Sequence, residues 1–384
     1  MAGFLDGVDI APNAIDRARA HAHDVVDLTS SNPTSNGLLF PADILAAAAA
    51  PYWGTRQYQP HPRGIMAARQ AVADYYAQRT PAVDYDPHHD IVMTASTSEA
   101  YTLLFALLTD PGDNVLVPDI SYPLFEYLAA MFRVELRPYT LDAQRGWRVD
   151  QWHLGRAHDE RTRAVLIVSP HNPTGMVVRQ ALPILGLLQV PVICDEVFAD
   201  MPVSVPHVPP LAALMPQLPI FTLNGISKMC ALPDLKLGWI AMTARARDQY
   251  AERLELLNDT LLGANMLVQT MLPHLLHDGR AFMAMQRAHL QHQVAQVIAA
   301  LAPLKCVRVR PPDAGYYVCA QVLCDLSDED LVTALLAHGV FVHPGYFFGA
   351  STGCYIVISA LVAQPQLSAG LQRLVAGLRH VCGD

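Results

Sequence analysis

The chain has 384 residues, with 35 acidic against 26 basic side chains and a formal net charge of −9, so it lacks the basic surface that would neutralise nucleic-acid phosphates. Its 52% apolar and 16% charged residues supply a large core and exclude a disordered chain. No apolar run approaches the roughly 18 residues of a membrane-spanning helix; the best stretch, 44–50, stops at Pro51, and no basic-then-apolar leader opens the chain. The first 44 residues are too few for a domain and are expected to pack against the C-terminal part. From about residue 90, short apolar runs alternate with longer helical patterns. Strands are predicted at 91–94, 115–118, 134–139, 164–169, 191–195, 220–223 and 237–242, with helices at 99–108 and 245–257. Near-continuous apolar strands between helices predict a mostly parallel sheet covered on both faces. Residues 261–301 read as helical, with Pro273 expected to break or kink the run. Strands near Val307, Tyr316 and Tyr355, with helices at 328–338 and 365–379, read as a smaller α+β part. The expected architecture is α/β: a large domain over 45–275, and a small one formed by 1–44 with 276–384.

The basic residues divide unevenly, into 23 arginines and three lysines, Lys228, Lys236 and Lys305. Two of the three lie eight residues apart in one apolar segment, which marks it as a place for chemistry. The seven cysteines form no CxxC pair and read as free thiols in a reducing cytosol. The 16 histidines include the pairs His21/His23 and His88/His89 but no HExxH or Cys/His ligand spacing, so no metal site is expected.

Polar residues follow the ends of several predicted strands, where open α/β sheets place their ligands. The strand ending at 169 runs into Pro170-His171-Asn172-Pro173-Thr174-Gly175, and the next ends in Asp195-Glu196-Val197-Phe198. The strand at 220–223 runs into Asn224-Gly225-Ile226-Ser227-Lys228, and that at 91–94 into a Ser/Thr cluster opening a helix. Hydroxyls at a helix N-terminus suit a phosphate, because free N–H groups and the positive dipole end lie there. A phosphate site, a carboxylate, an amide and a lysine on one sheet edge are what pyridoxal phosphate requires. Each element alone is ordinary: Asn-Pro-Thr-Gly makes turns, Ser before a helix is a cap, and Asp at a strand end anchors loops. Their order and spacing carry the signal, with Asp195 following Asn172 by 23 residues and Lys228 following Asp195 by 33.

From about residue 27 to 380 the chain resembles the class I/II aminotransferases, fold-type-I enzymes that use pyridoxal 5'-phosphate (PLP). The phrases that carry the resemblance are DLTSSNPTSNGL, TASTSEA, PGDNVLVPDISYPLFE, SPHNPTG, DEVFADM, NGISKMCALPDLKLGWIAM and HPGYFFG. It implies that Lys228 forms the Schiff base with PLP and moves the proton, while Asp195 pairs with the pyridine nitrogen. Asn172 would bond the ring oxygen and Tyr122 would stack on the ring. Ser96, Thr97, Ser98 and Ser227 would hold the phosphate. Tyr58 resembles the tyrosine that reaches the neighbouring subunit's phosphate, which implies a homodimer with shared active sites.

Three positions depart from the common pattern. Lys236 stands where many members have an arginine toward the phosphate, keeping the charge and losing the bidentate fork. Phe198 replaces a tyrosine that donates to the ring oxygen. Val357, in YIVIS, replaces the arginine that binds the substrate carboxylate, a trait of a subgroup that also carries SNPT and HPGYFF. Because an unpaired carboxylate in an apolar site costs several kcal/mol, Asn32, Arg63, His171 and Tyr346 are the candidate substrate contacts.

The function expected from the resemblance is a cytoplasmic aminotransferase acting on an amino acid and a 2-oxo acid, without nucleic acid or membrane partners. A PLP-dependent lyase, cyclase, decarboxylase or oxidase is the alternative that Val357 raises. A non-catalytic PLP-binding regulator is disfavoured, because Lys228 and Asp195 are both present and no appended DNA-binding domain is recognisable. A nucleotide-binding α/β protein is excluded by the lack of GxGxxG after a strand and of GxxxxGK[ST].

Overall fold

A computed structural model describes residues 11–383; Met1 to Ile10, part of the expected 1–44 segment, and Asp384 lie outside it. The strands, in chain order, begin with β1 (Val26–Asp27), β2 (Ile91–Thr94), β3 (Asn114–Pro118) and β4 (Glu135–Tyr139). A small hairpin follows, β5 (Leu141–Asp142) with β6 (Arg148–Val149), then β7 (Thr162–Val168), β8 (Val192–Asp195), β9 (Ile220–Gly225) and β10 (Gly238–Met242). The C-terminal part adds β11 (Val307–Val309), β12 (Tyr317–Val322), β13 (Val340–Phe341), β14 (His343–Pro344) and β15 (Cys354–Ser359).

Seven strands form one sheet in the order β2-β10-β9-β8-β7-β3-β4. Strand β10 runs antiparallel to both neighbours and the remaining pairs are parallel. Strands β2, β3, β8, β9 and β10 are buried along their whole length, which is why their sequences are apolar without alternation. At the edge, β4 exposes Glu135 and Pro138, a charge and a missing donor that discourage further pairing. The order has a consequence for the site. The C-terminal ends of β2, β3, β7, β8 and β9 all open on one edge, and β10 begins there with Gly238 paired to both Thr94 and Gly225.

The second sheet, β11-β12-β15-β14, is antiparallel. Along β12, Val318, Ala320 and Val322 join a core with the helices Arg280–Leu301, Asp328–Ala337 and Gln364–Cys382. The alternate residues, Tyr317 and Cys319, point to the other face and pack with Ile120, Phe348 and Val357. Period-2 alternation thus marks a sheet with helices on one side only. Strand β1 pairs in parallel with β13, and the Ser359 hydroxyl and N–H bond the Ser30 and Leu28 carbonyls, tying the N-terminal segment to β15.

All the predicted strands and helices are present, with bounds shifted by a few residues. The expected break at Pro273 is corrected: that proline lies inside the helix Met266–Asp278, and the helical run is divided at Gly279 instead. There a Cβ would lie 2.4 Å from the Leu275 carbonyl and 2.6 Å from the Phe40 ring, so close packing of helix on aromatic decides the boundary. Among the described residues no helix is long and apolar enough to cross a membrane, no His/Cys/Asp/Glu group could hold a metal, and no two cysteines form a disulfide.

Candidate active site

Asp195 ends β8 and is buried. Its carboxylate accepts from the Tyr101 hydroxyl at 2.7 Å and from the Val197 N–H at 3.0 Å. Burial pushes its pKa up, while these two donors and the Lys228 charge pull it down. Lys228 lies in the short helix Ile226–Met229 after β9, with its carbonyl held by Gln286 Nε2 at 3.1 Å. Its Nζ is 5.9 Å from the centre of the Tyr316 ring. The turn that presents it needs Gly225, where a Cβ would stand 2.7 Å from the Leu237 carbonyl.

Ser96 caps the helix Thr97–Leu108, its hydroxyl accepting the Glu99 N–H at 3.0 Å. Thr97 and Ser98 occupy the first turn, so N–H groups and hydroxyls collect at one helix N-terminus. Across from them a Cβ on Gly238 would sit 3.0 Å from the Ser96 carbonyl carbon and 3.1 Å from the Thr97 nitrogen. That glycine lets β10 come close to the helix end; Lys236, two residues before it, is exposed and in left-handed backbone at φ 51°. Ser227 is half-buried next to Lys228.

The amide oxygen of Asn172 is buried and has no partner. An orphaned buried acceptor costs about 1–3 kcal/mol unless something bonds it, and this one lies in the turn that follows β7 at the same sheet edge. An orphaned amide, a hydroxyl-lined helix end, a buried acid and a lysine together fit PLP. Tyr122 is half exposed, in the loop after β3.

Other expected contacts are occupied elsewhere. His171 is a correction: it is buried, with Nε2 donating to the Ile120 carbonyl at 2.9 Å and Nδ1 2.9 Å from the Thr174 hydroxyl. Burial lowers its pKa to about 4, so it is a neutral fastener between the turn and the Tyr122 loop and leaves no ring nitrogen for substrate. Arg63 is corrected likewise. Its guanidinium pairs with Glu255 at 2.6 Å and donates to the His89 carbonyl at 2.6 Å. Tyr346 turns its hydroxyl to Glu329 at 2.9 Å. Asn32 is exposed, its side-chain oxygen accepting from Thr34 in a tight turn that leaves the segment poised beside β15.

Val357 is fully buried, paired across strands with Cys319 and His343, and packed with Ile120 and Phe348. The place expected for an arginine is therefore an apolar contact between the two sheets. Phe198 is buried edge-on to Tyr316 at 5.1 Å. Tyr58 is 71% exposed. Sequence reasoning missed Tyr101, whose only signal is a tyrosine one turn into the helix after the Ser/Thr cluster. It also missed Tyr316, legible only as a strand residue.

Residues 23–374 match the family Aminotransferase class I and II, and the chain belongs to that family, which implies PLP as cofactor. The tyrosine aminotransferase of Dictyostelium discoideum is 33% identical over 227 residues, 56% of this chain and 54% of that protein. The Homo sapiens tyrosine aminotransferase is 29% identical over 270 residues, 66% of this chain and 57% of that protein. The chain thus spans little more than half the length of these curated relatives. Among solved structures, an alanine aminotransferase from Pyrococcus furiosus shares the fold with a TM-score of 0.89 at 21% identity, covering 99% of this chain and 100% of that one.

Proposed function

We propose that this protein is a PLP-dependent aminotransferase that moves an amino group from an amino acid to a 2-oxo acid. The observation that carries the reading is the convergence on one sheet edge of Lys228 with a buried Asp195 carboxylate held by Tyr101 and Val197. PLP bound there supplies a sink for the electrons released at the amino-acid α-carbon. Lys228 anchors it through Nζ and carries the proton away from the α-carbon. Asp195 keeps the ring nitrogen protonated; its own ionisation depends on the donors that offset burial. The Asn172 side-chain amide would donate through its nitrogen to the ring oxygen, Tyr122 would stack on the ring, and Phe198 would line the site without a hydrogen-bonding group. Ser96, Thr97, Ser98, Ser227 and Lys236 hold the phosphate, and the segment around Asn32 takes the substrate carboxylate that Val357 leaves unserved.

The domain division follows the same reading: 45–275 would carry the cofactor, and 1–44 with 276–384 would cover the substrate. A homodimer is supported by large apolar side chains left exposed, among them Leu39, Trp53, Leu256 and Leu262, near Tyr58 in the chain or in the adjoining helix ends. Tyr58 would then reach the phosphate of the second copy. Seven cysteines without a disulfide suit a reducing cytoplasm.

The experiment is an absorbance spectrum of the purified, PLP-loaded protein while amino acids are added one at a time. A yellow band that bleaches with a donor and returns with a 2-oxo acid supports transamination and names the donor. A band that persists while ammonia accumulates would replace it with elimination.

A further inference from the structure

The chain lacks a phenol at position 198 and has one pressed against it. The rings of Phe198 and Tyr316 meet edge-to-face, 5.1 Å between centres at 89°. Tyr316 is 1% exposed, and its buried hydroxyl has no acceptor for its proton. The Tyr317 hydroxyl is close enough to act on its proton affinity but interacts with Ser31 as well. With the Tyr317 hydroxyl donating to it, the Tyr316 hydroxyl still has no acceptor for its own proton, and a buried donor left unused is a cost that native structures keep only where something else uses it. The same ring lies 5.9 Å from Lys228 Nζ, and the Tyr122 phenol acts on it electrostatically.

Its position is enforced by the backbone before and after it. The Ala314 N–H bonds the Gly175 carbonyl at 3.1 Å, in the turn that carries Asn172, and the Gly315 N–H bonds the Met201 carbonyl at 2.8 Å, just after Phe198. The Val203 N–H bonds the Asp313 carbonyl at 2.8 Å, the Val177 N–H bonds the Asp313 carboxylate at 3.1 Å, and the Tyr316 carbonyl accepts the Ala360 N–H at 2.8 Å. These straps hold Tyr316 against the two segments that carry Asn172 and Phe198. At Gly315 the backbone takes φ 88°, with Phe198 3.8 Å from where a Cβ would stand, so the approach to Phe198 uses a conformation that favours glycine.

We propose that Tyr316 supplies the phenolic donor that Phe198 lacks, its hydroxyl bonding the ring oxygen of PLP beside Lys228. The inference rests on the reading that PLP is held at Lys228. Burial raises the pKa of Tyr316, so its hydroxyl is a neutral donor throughout the working range. A donor at the ring oxygen stabilises the deprotonated form of the bound chromophore, so it lowers the pH at which the absorbance changes.

The test is a spectroscopic pH titration of the PLP-loaded wild type and of Tyr316→Phe, Phe198→Tyr and the double variant Tyr316→Phe/Phe198→Tyr, with Lys228→Ala as reference. In Tyr316→Phe the midpoint is expected to rise by about one pH unit, a tenfold change in proton binding. The double variant, which moves the hydroxyl across the ring pair, is expected to bring it back toward the wild-type value. An unmoved midpoint in Tyr316→Phe overturns the inference, and so does a shift that the double variant leaves in place. Should Tyr316→Phe not fold, Phe198→Tyr alone decides. A midpoint that stays put supports Tyr316 as the phenolic donor already in use, and a fall of about one unit means the oxygen had no phenolic donor and overturns it. If the wild type shows no band that Lys228→Ala removes, the aminotransferase reading fails and takes this inference with it; a band present but indifferent to Tyr316 sinks the inference alone.

Discussion

The Tyr101 hydroxyl donates to the Asp195 carboxylate at 2.7 Å, and both groups are buried. The bond joins the helix that opens with the Ser/Thr cluster to the strand that ends in the acid. It also offsets part of the burial that pushes the Asp195 pKa above its ordinary 3.8. A hydrogen bond to a charged group is worth about 1.5–3 kcal/mol. Tyr101→Phe is therefore expected to move the acid limb of kcat/KM upward by about one to two pH units, with the far-UV spectrum unchanged. An unmoved limb would mean that the Asp195 charge does not govern the reaction.

Asp195→Asn separates stability from catalysis. A carboxyl with a raised folded-state pKa contributes stability that is present below its unfolded pKa and is lost as pH rises through the folded value. In the cofactor-free protein the charge at position 195 is thus a cost at neutral pH. The asparagine variant should melt higher than the wild type at pH 7, the difference shrinking toward pH 4, while turnover falls at least about a hundredfold. Equal melting at pH 7 would contradict the burial argument.

Lys228→Ala should retain the fold, because the Gln286 contact at this residue is to its backbone. Turnover and the covalent PLP link that borohydride reduction makes permanent should both vanish. Residual borohydride labelling would place the reactive amine at another lysine, and only Lys236 and Lys305 remain.

Arg63→Ala removes the partner of Glu255 and a donor to the His89 carbonyl. Since Arg63 is mostly buried and Glu255 partly exposed, the loss should be about 2 kcal/mol in urea unfolding. KM for the amino donor should stay within about twofold, a change under 0.5 kcal/mol. A large rise in KM with unchanged stability would restore Arg63 as the carboxylate anchor.

Glu196 is fully buried, 3.6 Å from Arg79, which itself donates to the Tyr75 hydroxyl at 2.7 Å. Burial raises the Glu196 pKa from 4.5 to about 7, against the pull of Arg79. The folded state then holds a proton between about pH 4.5 and 7 that the unfolded chain releases, so stability falls with rising pH across that window. Glu196→Gln should flatten the slope by up to about 1.4 kcal/mol per pH unit, measured by urea unfolding at several pH values. An unchanged slope would assign the proton elsewhere.

The sheet was legible because its strands are buried on both faces and so read as apolar runs between turn signals, as β2 and β8 do. The helix Met266–Asp278 was misjudged at Pro273, where local propensity yields to packing. Lys228 and Asp195 were legible through type, order and spacing along the chain. His171, Arg63 and Tyr346 were not. Each is polar and close in sequence to the site motifs, but the direction of a side chain depends on partners outside those motifs, such as Ile120, Glu255 and Glu329, which only the folded chain brings alongside.

Composition, periodicity and motif order are local properties, and by themselves they determined the layered α/β class, the strand ends and the lysine–aspartate pair. Only the tertiary structure decided which polar groups are already satisfied and which are left with unused bonding capacity. It set Tyr101 on Asp195, Val357 among apolar side chains, and the buried ring of Tyr316 against Phe198. The reason is physical: burial and hydrogen-bond satisfaction belong to contacts between segments separated along the chain, and sequence spacing carries no record of them.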